Sequence, residues 1–304
     1  MISALDDILE DYKVYLRVEK RVSEGIARGY CYSVGRFLRW VDTLNPDRRH
    51  AVKYYDMLLK EEKKASTIAN ILFALKHYYN FIGKELDLKP PKHTVKQVDF
   101  LTVMEAKTLL YKIDSYRDYA MVLVMLYGGL RVSEVCNLDR KDVDFENFTV
   151  TVRNTKNRVD RTVMVTEKCI KAIERYLETR IDTESPLFMS RKGRRISRSQ
   201  IARLVKKYAI MADLRTYKEC GTVKTKVSPH MLRHTAATNL IANDCDVVVV
   251  QLHLGHSNIR STMRYVHVAK STYGELYKSM SLSTEVMEEV KWRLHDENDL
   301  SFFC

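Results

Sequence analysis

A few residues in this 304-residue chain are of types that handle phosphate. Six residues separate Leu254-Gly255-His256-Ser257-Asn258 from Tyr265. Upstream stands His230-Met231-Leu232-Arg233, and far upstream Gly129-Leu130-Arg131-Val132-Ser133-Glu134. A phenol ionises near pH 10, so a tyrosine nucleophile needs cationic neighbours or a base at neutral pH. Arginine forks match phosphate oxygens bidentately. The chemistry on offer is attack of a tyrosine hydroxyl on a phosphodiester, with arginine and histidine absorbing the charge. Each piece also has a plainer reading. Tyr265 is one of 18 tyrosines, most of which pack in cores. His230 could be a cap, and Arg131–Glu134 a surface ion pair of little worth. His253 and His256 share a spacing of three residues but lack a third ligand nearby, so no metal is expected.

Local elements must position these residues. Ser228-Pro229-His230 reads as a helix start, with Ser at the N-cap and Pro in the first position. His230 then occupies the first turn, where free N–H groups and the dipole favour an anion, and Arg233 shares its face. The apolar run Tyr119–Leu130 is too short to span a bilayer; Tyr116–Tyr127 reads as a buried helix that Gly128-Gly129 breaks, and the two glycines allow close backbone approach. A helix from Arg131 puts Glu134 on the same face as Arg131. Phe148–Arg153 and Arg161–Val165 read as two strands of a hairpin, with Lys156 at or near its turn. Tyr265 falls about two turns into a helix starting near Ser257. Helices are expected at about 167–180 and 197–212, and residues 213–227 read as polar and irregular.

The wider chain divides by pattern. Residues 1–88 carry apolar positions at helical spacing (Leu5, Ile8, Leu9, Tyr12, Leu16; later Ile68, Ile71, Leu72, Leu75, Tyr78, Tyr79), which predicts a small helical bundle, with Ser66 capping its last helix. Residues 89–99, with Pro90-Pro91, read as a linker. Thr102-Val103-Met104-Glu105 is a capping box that opens a second domain, over 100–282, with 283–304 as a tail. The fold class is mainly α with a small β-hairpin or sheet. The N-terminal domain is helical and the second is mixed α/β.

The net charge of +12 is unevenly spread. Residues 153–233 hold 21 Lys/Arg against 8 Asp/Glu; the remainder holds 30 against 31. A surplus confined to one segment is the footprint of a face that binds a polyanion. Six scattered cysteines have no zinc spacing, and free thiols in a reducing compartment are expected. An acidic N-terminus unlike a signal peptide points to an intracellular, cytoplasmic protein.

The order Gly-Leu-Arg-x-Ser-Glu, hairpin lysine, His-x-x-Arg, Leu-Gly-His, Tyr resembles the tyrosine recombinases, also called the phage integrase family, from about Phe100 to Val268. The helical N-terminal segment resembles that family's core-binding domain. The resemblance implies that Tyr265 attacks the scissile phosphate to form a 3′-phosphotyrosyl link. Arg131 and Arg233 clamp its non-bridging oxygens, and His256 donates to one of them. His230 is the base for the tyrosine proton. Lys156 protonates the leaving 5′-oxygen, Arg158 and Arg161 nearby being poor proton donors. Glu134 is an acidic support. No cofactor or metal is implied, since cations supply the charge and the covalent link conserves the bond energy. The expected partners are double-stranded DNA with a specific recombination site and three further copies, a homo-tetramer on two duplexes that is monomeric or weakly associated when free. No membrane is involved. The role implied is integration and excision or dimer resolution, Xer-like or viral. The alternatives are a type IB topoisomerase and a catalytically silent DNA-binding protein on the same fold. The acidic tail, with Val286, Met287, Val290 and Leu294 at helical spacing, is expected to dock in trans.

Overall fold

The structure, a computed structural model, describes residues 2–92, 98–153 and 160–266. The chain forms two compact units, Met1–Lys96 and Gln97–Cys304.

Among the described residues, four helices build the first unit: α1 (Ile2–Val18), α2 (Glu24–Val41), α3 (Arg48–Lys60) and α4 (Ala65–Phe81). Their apolar stripes meet in one core that includes Tyr12, Leu16, Phe37, Leu58, Leu72 and Leu75. Buried tyrosines are tolerated there because their hydroxyls find carbonyls. Tyr12 donates to Ala74 O at 2.8 Å, Tyr78 to Leu44 O at 2.7 Å and Tyr79 to Asp47 O at 2.5 Å. The latter two bonds tie α4 to the α2–α3 connection. Asp47 caps α3 by accepting from His50 N at 3.1 Å. Ser66 is not the cap of α4. Lys64 holds the extended N-cap backbone, with ψ of 135° and no side-chain cap bond, so Ser66 already lies in the first turn.

The second unit begins with the capping box around Thr102: Glu105 N donates to Thr102 Oγ1 at 3.2 Å, and Thr102 N donates to Glu105 Oε2 at 2.8 Å. This opens α5 (Val103–Tyr111). Next come α6 (Tyr116–Leu126) and α7 (Val132–Asn137). Every residue of α6 from Ala120 to Leu126 is buried, so the helix is the axis of the unit, packed by α8 (Glu167–Glu178) and α10 (Pro229–Ala242). Strands β1 (Val143–Asp144), β2 (Thr149–Val152) and β3 (Arg161–Met164) form an antiparallel sheet in that order. In β2 and β3, Val150 pairs with Val163, both facing the core, and Val152 pairs with Arg161. The tip of this hairpin, including Lys156, lies outside the described residues.

After α9 (Arg198–Met211), residues 213–227 are not irregular. They form a second hairpin, β4 (Thr216–Glu219) with β5 (Thr222–Thr225), turned by Cys220-Gly221 with φ of 48° and 73°. Two positive φ values are the signature of a tight type I′ turn. Seven of its eight strand residues are exposed or half-buried, so no apolar alternation announces the strands. Finally α11 (Val247–Leu254) is capped by Asp246, and residues 260–266 are helical. Among the described residues no helix is long and apolar enough to cross a membrane.

Candidate active site

The positions singled out in the sequence converge, with two exceptions, within the second unit. Glu134 lies at their centre. It sits in the first turn of α7 and reaches back to the N-cap, where Arg131 N donates to its Oε2 at 2.7 Å. Arg131 Nη1 donates to Glu134 Oε1 at 2.8 Å, and Nη2 donates to Gly255 O at 3.1 Å. Burial acts to raise the Glu134 pKa. Hydrogen bonds and charge from Arg161, then hydrogen bonds from Arg131, outweigh it and hold the carboxyl below its usual range.

Arg233 lies one turn into α10, behind the Ser228 cap, whose Oγ accepts from Met231 N at 3.4 Å. The side chain is 4% exposed. It bridges two carbonyls, Gly129 O and Leu254 O, each at 2.6 Å, and its Nη1 is 3.7 Å from Glu134 Oε2. These acceptors explain the Gly128-Gly129 break. Gly129 has φ of +63°, and a Cβ there would stand 2.7 Å from Leu254 Cδ2. Only glycine lets this turn press against α11 while aiming its carbonyl at Arg233. Burial, then repulsion from Arg131, lowers the Arg233 pKa to about 10, so the group remains a cation at neutral pH.

Tyr265 is 4% exposed and packs in a small apolar cluster with Val98, Ala237, Val250 and Leu254. Burial raises its pKa, opposed by the positive charges of Arg233, Arg264 and Arg131. The His256 ring lies nearly parallel to the phenol, 6.3 Å between centroids, and His256 Nδ1 is 2.8 Å from Thr262 Oγ1. Burial, followed by the charges of Arg233 and Arg131, pushes His256 down to about 4.

His230 is one exception. It stands exposed on the first turn of α10, its ring 6.3 Å from that of His234. The group on the Tyr265 hydroxyl is His234, whose Nδ1 is 2.8 Å away. Burial, then repulsion from His230, lowers His234 to about 4. Sequence reasoning passed over His234. The signal was available, since His230 and His234 are four residues apart and share a helix face. Arg161 was weighed only as a proton donor. It is in fact the principal partner of Glu134, with Nη1 to Oε1 at 3.0 Å and Nη2 to Oε2 at 2.9 Å. Lys156, the other exception, and the acidic tail lie outside the described residues. Among the described residues, no three His, Cys, Asp or Glu side chains gather as a metal site.

Both units of the chain are similar to known proteins. Residues 99–272 match the phage integrase family, and residues 9–85 match the phage integrase N-terminal SAM-like domain. The chain therefore belongs to the phage integrase family, the tyrosine recombinases. It is 33% identical over 288 residues to the tyrosine recombinase XerA of Pyrococcus horikoshii, covering 92% of this chain and 96% of that protein. The crystal structure of a XerA recombinase superposes with a TM-score of 0.54 at 28% identity, covering 91% of this chain and 98% of that one. The XerH site-specific recombinase in its post-cleavage complex with palindromic difH substrate gives 0.67 at 21% identity, covering 84% and 80%. That likeness is one of fold.

Proposed function

We propose that this protein is a site-specific DNA recombinase that cuts and rejoins strands through a covalent 3′-phosphotyrosyl intermediate, without ATP or metal. The observation that carries this reading is the gathering of Arg131, Arg233 and His256 beside the Tyr265 phenol. The two guanidiniums are held by Glu134 and by the carbonyls of Gly129, Leu254 and Gly255.

Tyr265 is the nucleophile. Its oxygen attacks phosphorus, the P–O5′ bond breaks, and the 5′-oxygen leaves with a proton from Lys156. Arg131 and Arg233 hold the non-bridging oxygens, where preorganised cations lower the energy of the more highly charged phosphorane. His256 is neutral at pH 7. If its Nδ1 accepts from Thr262, its proton is on Nε2, free to donate to a phosphate oxygen. The resemblance gives the phenol's proton to His230. The 2.8 Å contact favours His234 as the direct acceptor, with His230 next along the same face. Glu134 supports the two arginines.

The helical first unit is a second DNA-clamping domain. The reaction runs cytoplasmically, in a homo-tetramer on two duplexes assembled from weakly associating monomers, with the tail docking in trans. The role is integration and excision or dimer resolution.

The test is incubation with a nicked suicide site. Wild type forms a protein–DNA adduct and Tyr265→Phe forms none while still binding DNA. An adduct with the Phe variant overturns the nucleophile assignment. A wild-type protein that binds its site and forms no adduct is a binding module instead. Relaxation of plasmid without a specific site, by a stable monomer, identifies a topoisomerase.

A further inference from the structure

Arg161 is not among the residues assigned to phosphate, yet it is the most tightly held side chain of the site. It is the first residue of β3, and its side chain is 13% exposed. Its fork covers both oxygens of Glu134 at 3.0 and 2.9 Å, and its Nε donates to His253 O at 2.9 Å. One guanidinium thereby joins the sheet, the start of α7 and the end of α11. The chain clears space for it. At Gly255 (φ +64°) a Cβ would stand 2.9 Å from Arg161 Nη1, 3.0 Å from Cζ and 3.1 Å from Cδ. The glycine of Leu254-Gly255-His256 is thus required twice, by its left-handed backbone and by the guanidinium lying against it.

The arrangement has an electrostatic consequence. Glu134 faces three guanidiniums: Arg161, Arg131 at 2.8 Å and Arg233 at 3.7 Å. Three cations and one anion leave two net positive charges. A phosphodiester carries one negative charge, and its pentavalent transition state carries more. With Arg161 absent, Glu134 would draw on Arg131 and Arg233, the two groups that face the phosphate, and the surplus would halve. A carboxylate left with fewer partners in a partly buried site would also pull both guanidiniums towards itself.

We propose that Arg161 is a positioning residue: by sharing both oxygens of Glu134 with Arg131 it offsets that carboxylate, so that the site keeps its net positive charge and Arg131 and Arg233 keep their aim for a DNA phosphate. This rests on the recombinase reading and extends it to a residue to which that reading gives no phosphate contact.

The experiment is single-turnover adduct formation at saturating nicked DNA, with active-site titration to count competent molecules and circular dichroism to confirm folding. Arg161→Met removes the cation and keeps much of the bulk. It is expected to bind DNA within a few-fold of wild type and to cleave on the order of a hundredfold more slowly per competent molecule, the scale of losing a preorganised charge. Adding Glu134→Gln restores two net positive charges and should recover about tenfold of that loss, or about 1.4 kcal/mol. Recovery of rate on removing a second charged group is a result that a merely structural role does not produce. Arg161→Lys keeps the charge without the fork, preserves folding if the Met variant fails, and should fall between wild type and Met. The inference is overturned if the folded Met or Lys variant cleaves at the wild-type rate, or if the double variant is no faster than Arg161→Met. Failure of wild type to form an adduct sinks the recombinase reading instead, so the two failures are distinct.

Discussion

The Tyr265 hydroxyl and Nδ1 of His234 are 2.8 Å apart, across 31 residues of sequence. With its pKa lowered to about 4, His234 is neutral at pH 7 and can accept from the phenol. Its partner is buried among Val98, Ala237, Val250 and Leu254, which leaves the hydroxyl few other acceptors. Replacing His234 with Phe should slow adduct formation on the order of a hundredfold, the lower range for a positioned proton acceptor. Asn, whose amide oxygen falls near the place of Nδ1, should recover part of this. The measurement is the single-turnover rate on nicked DNA. Equal rates for wild type and the Phe variant would remove His234 from the reaction.

The same lowered pKa values predict how stability responds to acid. His234 and His256 resist protonation until about pH 4, against 6.5 for an unstrained imidazole. In the unfolded chain both take up protons from about pH 6.5 downward. The unfolded state therefore binds more protons between about 6.5 and 4, and stability falls as pH drops through that window. Thermal melts of the second unit should move to lower temperature from pH 7 to pH 5. The decrement should be smaller in His256→Phe than in wild type. An equal decrement would contradict the assigned cause.

Gly129 joins backbone strain to function. A methyl group there would meet Leu254 Cδ2 at 2.7 Å, and φ is already +63°. Gly129→Ala should destabilise the unit by about 1–3 kcal/mol, the range for overpacking, and lower cleavage further because its carbonyl holds Arg233. Gly193, with φ of +65° and nothing within 4 Å of an added Cβ, is the control. Its Ala variant should lose about 1 kcal/mol from backbone strain alone and cleave normally. Chemical denaturation and the adduct assay together separate the two effects.

The charge concentrated in residues 153–233, 21 Lys/Arg against 8 Asp/Glu, predicts strong salt dependence. A protein making roughly 6–10 phosphate contacts loses about 10³–10⁵ in affinity between 50 and 200 mM salt, through counterion release. Binding titrations across that range should give a steep negative slope of log affinity on log salt. A flat slope would remove the polyanion-binding face.

Much of the fold and site was legible because it is local. The Thr102 and Ser228 caps, the buried α6 and the β2–β3 hairpin follow from residues within a few positions of each other, where hydrogen-bond geometry and hydrophobic period are set by spacing. The order of the phosphate-handling motifs and the charge segregation span longer stretches, but both are read directly along the chain. The β4–β5 hairpin was missed for the converse reason. Its strands are exposed and polar, so no period of two marks them, and only the pairing reveals them.

Tertiary structure alone decided which cations share Glu134, which histidine meets Tyr265, and how deeply each is buried. Arg161 reaches Glu134 across 27 residues, and Arg233 reaches Gly129 across 104. Such contacts form only when sheet, helix ends and glycine turns close on one another. His230 and His234 are equivalent by spacing. The packing of α10 exposed one and turned the other onto the phenol.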